Sequence, residues 1–168
     1  MSTLRLFLCD LLGSFAARLG VKLNIPESAI LMRATFAPQM GEALDGLIKL
    51  AVFEFPKSQP ESIVWRRFFP RDGNIHWIGR RMERAATAAG RNKRYLGFVR
   101  TDARSIRAFR SAAGFGFALE HAPEEGLQHV HISFSANNGI APNKQQKSEL
   151  RVALVQEVFR EKVAAPVA

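Results

Sequence analysis

Apolar residues recur at helical spacing over residues 4–20. Leu4, Phe7, Leu8, Leu11, Leu12, Phe15 and Leu19 fall on one side, and Gly20 supplies a stop. The period then shortens. Ala29 to Thr35 is a short apolar strand, and Pro38 to Gly46 is a turn or short helix. Leu47 to Phe55 alternates, with Leu47, Lys49, Ala51, Phe53 and Phe55 on one side. Ser62 to Phe69 is rich in β-branched and aromatic residues and reads as a strand. The two prolines of Pro56 to Pro60 suit a hairpin connection between these last two runs.

After the break at Pro70 to Asn74, helical spacing returns from Ile75 to Ala89, with Ile78, Met82, Ala85, Ala86 and Ala89 on one face and Gly90 as the stop. Tyr95 to Arg100 is a strand. Asp102 is a good N-cap for a helix through Ala112. Phe117 to His121 and Leu127 to Ser135 form a hairpin around Pro123 to Gly126. Asn137 to Gln146 is a polar loop, and Ser148 to Val163 is a last helix before an Ala/Pro/Val tail that is expected to fray. The pattern predicts a mixed α/β fold, with a mostly antiparallel central sheet flanked by helices, as one domain over residues 1–168.

Composition narrows the chemistry. Lys and Arg number 24 against 15 Asp and Glu, a net charge of +9, which points to an anionic partner such as a phosphorylated cofactor or nucleic acid. The single cysteine, Cys9, excludes an internal disulfide and fits a reducing, cytoplasmic setting. Arg5, Asp10 and Arg18 interrupt the first apolar stretch, so no membrane span is expected. That amphipathic helix suits core packing, a partner surface or a homodimer. Thirteen Phe against one Tyr leave few phenolic groups for proton transfer.

The run from Tyr95 to Phe109, closing in Gly114-Phe115, resembles the C-terminal half of the GNAT (Gcn5-related N-acetyltransferase) family. That half has a strand, then Asn, a small residue, Tyr and Gly-Phe at set spacing. Asp102, Ser105 and Phe109 stand in the Asn, Ala and Tyr positions, and Gly114-Phe115 arrives one residue late. The resemblance implies an acyl-CoA N-acyltransferase-like fold. It also implies an enzyme that moves an acetyl or other acyl group from acyl-CoA to a small-molecule or protein amine. The cofactor would lie in a cleft between the strands at 62–69 and 95–100.

On this reading the pyrophosphate sits at the start of the helix near residue 75, where Arg71, Gly73, Gly79, Arg80 and Arg81 are candidate ligands. Asp102 and Ser105 would serve the cofactor-side helix, and Glu54 and Glu61 are the candidate general bases. Trp77 falls where the family has Gly, and either crowds the pyrophosphate or packs in the core. Phe109 has no proton to give a leaving thiolate, so transfer would rest on positioning. With Trp77 it also motivates a second reading, a non-catalytic binding or structural module of the same fold.

A third reading starts from His129-Val130-His131. Residues two apart share a face of a strand, so His129, His131 and Ser133 line one side. Two imidazoles so spaced can bind one metal, with His121 a candidate third ligand across the hairpin. The run is similar to the His-hydrophobic-His motif of metal-dependent nicking and rolling-circle replication enzymes, which also use a Tyr nucleophile. Arg100, Arg104, Arg107 and Arg110 form a basic stripe suited to phosphates.

Overall fold

The computed structural model describes residues 19, 21–38, 53, 62–66, 73–122 and 129–166. The predicted helix at 4–20 (Leu19 apart), most of 38–60, the end of the strand at 62–69, and Arg71, Glu54 and Glu61 lie outside the described residues. Six strands form one sheet: β1 (Ile30–Ala37), β2 (Ser62–Arg66), β3 (Arg94–Asp102), β4 (Gly116–His121), β5 (His129–Ser135) and β6 (Glu161–Ala164). Their order across the sheet is β4-β5-β2-β1-β3-β6, and every neighbouring pair is antiparallel. The mixed α/β expectation therefore stands. The cleft expected between the strands at 62–69 and 95–100 does not, because β1 fills that place and bonds to both β2 and β3.

Alternation along the strands sorts the side chains into two layers. Leu31, Val99, Val130, Ile132 and Phe117 face one way, against α2 (Ala103–Ala108) and α3 (Lys144–Ala153), in a core with Ile106, Leu150, Leu154 and Phe159. Met32, Ala34, Phe36 and Phe98 face the other way, against α1 (Gly73–Ala88) through Ile75 and Met82. Near the start of β3 the alternation is reset by a bulge. Thr35 pairs with Gly97 and Phe36 with Tyr95, so Leu96 is the extra residue. Gly97 has φ 136, a backbone state that side-chain-bearing residues rarely take, and the Thr35 hydroxyl donates to its carbonyl at 2.9 Å. The bulge brings Tyr95 onto the α1 face.

The buried side of α1 is the predicted one only in part: Met82 and Ala86 pack inward as expected. Ile75, Gly79 and Ala86 are buried, whereas Ala85 and Ala89 are exposed. Trp77 is 58% exposed, so it is not a core residue. The helix also begins at Gly73, two residues before the predicted start.

Three other boundaries differ for identifiable reasons. α2 ends at Ala108 rather than Ala112, because Phe109 turns to an extended conformation and stacks on Phe117 at 5.5 Å. The Arg110 side chain then donates to the carbonyls of Arg107 and Phe109, satisfying the helix end. α3 starts at Lys144, inside the predicted loop, because Asn143 and Gln146 form a reciprocal capping box with bonds of 3.0 and 2.9 Å. It widens into a π-turn at Leu154–Val158 and stops there. Glu161–Ala164, expected as helix and frayed tail, instead adds a strand to the open edge of β3, and the Ala165 N–H bonds the Leu96 carbonyl at 2.9 Å.

Replacing Gly79 by Ala separates two opposed effects. In an exposed helix interior the change gains about 1 kcal/mol of propensity. Here the new Cβ would stand 2.3 Å from the Tyr95 ring, which is buried and held by the His76 ring nitrogen at 3.1 Å. Crowding wins, and Gly79→Ala is expected to lower unfolding stability by about 1–3 kcal/mol in urea denaturation. An unchanged or raised midpoint would contradict the packing.

Candidate functional site

β5 is an interior strand, bonded to β2 on one side and β4 on the other. Its buried residues, Val130 and Ile132, point into the α2–α3 core, which turns the half-buried His129 and His131 to the opposite face. The register places His129 against Trp65, and Trp65 against Met32, which packs under α1. The histidine pair therefore lies on the α1 side of the sheet.

Across the hairpin His131 is paired with Glu120, and Ser133 with Ala118. Paired residues share a face, so Glu120 stands opposite His131 on the sheet face that also carries His129. Glu120 also bonds Lys22. That hydrogen bond and the Lys22 charge hold the Glu120 carboxyl below its ordinary value, and the nearby His131 adds to the shift. His121 is not the third member. It pairs with Val130, is buried on the other face, and its Nδ1 accepts the Leu23 N–H at 3.2 Å.

Glu120 escaped the sequence reading because strand alternation alone does not fix the register of a hairpin. A hairpin closing symmetrically about Pro123 to Gly126 would pair Glu120 with His129, whereas the observed register pairs it with His131.

The residues expected to bind an acyl-CoA are dispersed. Gly73 opens α1, but Gly79 lies almost two turns in, under the Tyr95 ring, where the helix has no unpaired N–H to offer. Arg80 donates to Glu83 at 3.0 Å and to the Pro166 carbonyl at 3.1 Å, so it ties the C-terminal segment to α1. Arg81 is exposed beside Trp77. Asp102 caps α2 by accepting the Ser105 N–H at 2.7 Å. Arg100, Thr101 and Asp102 also line a cleft of about 200 Å³ with Arg160 and Glu161. That is smaller than the roughly 300–1,000 Å³ of ordinary ligand pockets. Arg100 in turn is paired with Glu161.

The basic stripe expected along the helix after β3 is partly compensated. Besides the Arg100 pair, Arg104 meets Glu27 at 3.1 Å, and Arg110 bends back onto carbonyls. Among the described residues no three His, Cys, Asp or Glu side chains are gathered into a metal cage as they lie. Nor, among them, is any helix long and apolar enough to cross a membrane. Compared with family models, curated proteins and solved structures, the chain has no match.

The one tyrosine is placed for packing. Tyr95 is buried between Phe36 and the Arg80 guanidinium, and burial pushes its phenol well above the ordinary value, opposed in part by Arg80. β1 and β2 separate it from β5, a lateral distance of roughly 14 Å at ordinary strand spacing. With the folded pKa raised, Tyr95 favours the native state below its unfolded pKa of about 10 and loses that contribution as pH rises further. Absorbance at 295 nm should therefore stay flat through pH 10 and rise only together with loss of the far-ultraviolet circular dichroism. A separate step near pH 10 in the folded protein would contradict the burial.

Proposed function

We propose that this chain is a nucleic-acid-processing domain of the His-hydrophobic-His type, in which His129, His131 and Glu120 hold a divalent metal ion against a phosphodiester. The observation that supports the reading is the β4–β5 register, which pairs Glu120 with His131 on the sheet face that also carries His129. One oxygen and two nitrogen donors suit zinc or manganese. Such an ion would offset phosphate charge and provide activated water.

To join the donor set Glu120 would have to leave Lys22. Both side chains of that pair are more than half exposed, and exposed pairs contribute at most about 1 kcal/mol. Glu120 can therefore turn toward the histidines at small cost.

The only tyrosine is buried far from the histidines, so attack by a protein phenol is not part of the proposal. The reaction is hydrolysis instead. Water adds across a P–O bond, and the strand is left with one phosphomonoester end and one hydroxyl end. The net charge of +9 favours capture of such a substrate.

Acyl transfer from acetyl-CoA, in an acyl-CoA N-acyltransferase-like fold, keeps the support of the element order and the Tyr95 to Phe115 pattern. No specific contact in the structure favours it over hydrolysis. A non-catalytic module would share the fold and lack both activities.

Titration calorimetry with zinc or manganese should show one binding event in the wild type that is lost in His131→Ala. Lys22→Ala should bind the ion more tightly, because Glu120 is freed. Metal-dependent cleavage of a single-stranded oligonucleotide should disappear with His131→Ala. Absence of metal binding in the wild type, or heat with acetyl-CoA and none with metal, would sink the proposal.

A further inference from the structure

The outer face of α1 carries an arrangement that packing does not explain. Trp77 is 58% exposed on a helix whose buried side is already filled by Ile75, Gly79 and Ala86. Burying an indole removes a large apolar area from water, and this one is left out. The Arg81 guanidinium lies over it, 5.4 Å from the ring centre. Trp77, Arg81 and Arg84 are spaced i, i+4 and i+7, which places them on one helix face. Arg91 follows just beyond the helix end and is also exposed.

Charge along this face is one-sided. The only carboxylate of α1, Glu83, accepts from Arg80 and from the Tyr95 N–H at 2.9 Å, and is thus turned toward the sheet. Among the described residues Arg81, Arg84 and Arg91 have no carboxylate partner. An exposed indole beside uncompensated guanidinium groups is complementary to a ligand with flat aromatic rings and regularly spaced anions. Single-stranded nucleic acid has both: a base can stack on the indole while phosphates meet the arginines. A duplex hides its base faces, and an acidic peptide supplies the charge without the rings.

We infer that α1 is a contact surface for single-stranded nucleic acid, with Trp77 as the stacking residue and Arg81, Arg84 and Arg91 as phosphate ligands. This rests on the proposed function only in taking nucleic acid as the ligand. α1 and the histidine pair lie on the same side of the sheet, so a strand held by α1 is on the side where the proposed metal site stands.

Binding of a fluorescein-labelled oligothymidylate should be measured by anisotropy in EDTA, so that the metal site plays no part. Trp77→Ala should weaken binding at least about fivefold, while Trp77→Phe retains most of it. Arg84→Ala should weaken binding and make the slope of log K against log salt shallower by about 0.7. Both side chains are exposed, so the variants should melt with the wild type, and a thermal melt checks this. Wild-type affinity in Trp77→Ala and Arg84→Ala overturns the inference. So does equal or tighter binding of polyglutamate in competition. Failure of the metal proposal alone would leave binding in EDTA intact, and failure of this surface would leave metal calorimetry unchanged.

Discussion

β1 is hydrogen-bonded on both sides, to β2 and to β3, and this double antiparallel pairing sets the faces of the whole sheet. Once Met32 and Ala34 point toward α1, registry carries the same choice outward strand by strand. In backbone register Met32 is paired with position 65 of β2, position 65 with His129, and His131 with Glu120. A slip of one residue anywhere in this chain would put the imidazoles into the α2–α3 core and Val130 and Ile132 on the α1 side. The hydrophobic cost of that exchange locks the histidines where they are. The position of the candidate site is thus a consequence of core packing.

The same constraint explains why α1 can serve as a surface. Gly79 lets the helix approach the Tyr95 ring closely, and Arg80 and Glu83 fasten it to the C-terminal segment and to β3. With its inner side committed, the helix has a fixed rotation about its axis. Trp77, Arg81 and Arg84 are then held outward on a rigid element, which lowers the ordering cost when a ligand binds.

The sequence made local structure readable where one signal dominated. The alternation of β5 assigns His129 and His131 to one face without any structure. Asp102 was recognisable as an N-cap because capping chemistry is local. Features that depend on partners distant in the chain were not readable. A small residue such as Gly79 suits either a phosphate or a close helix–sheet contact, and only the position of Tyr95 decides between them. The strand at Glu161–Ala164 exists because β3 offers an open edge, while Ser148 to Val163 by itself resembles one helix. Strand order was equally invisible, so the space expected for a cofactor arm between β2 and β3 turned out to hold β1.

The proposed function centres on a metal site at the β4–β5 pair. Its most direct test is anomalous diffraction at the zinc edge from crystals grown with zinc. The account predicts one strong peak about 2.0–2.2 Å from an imidazole nitrogen of His129, an imidazole nitrogen of His131 and a carboxylate oxygen of Glu120. A map with zinc only at other surface residues, and Glu120 still on Lys22, would contradict it.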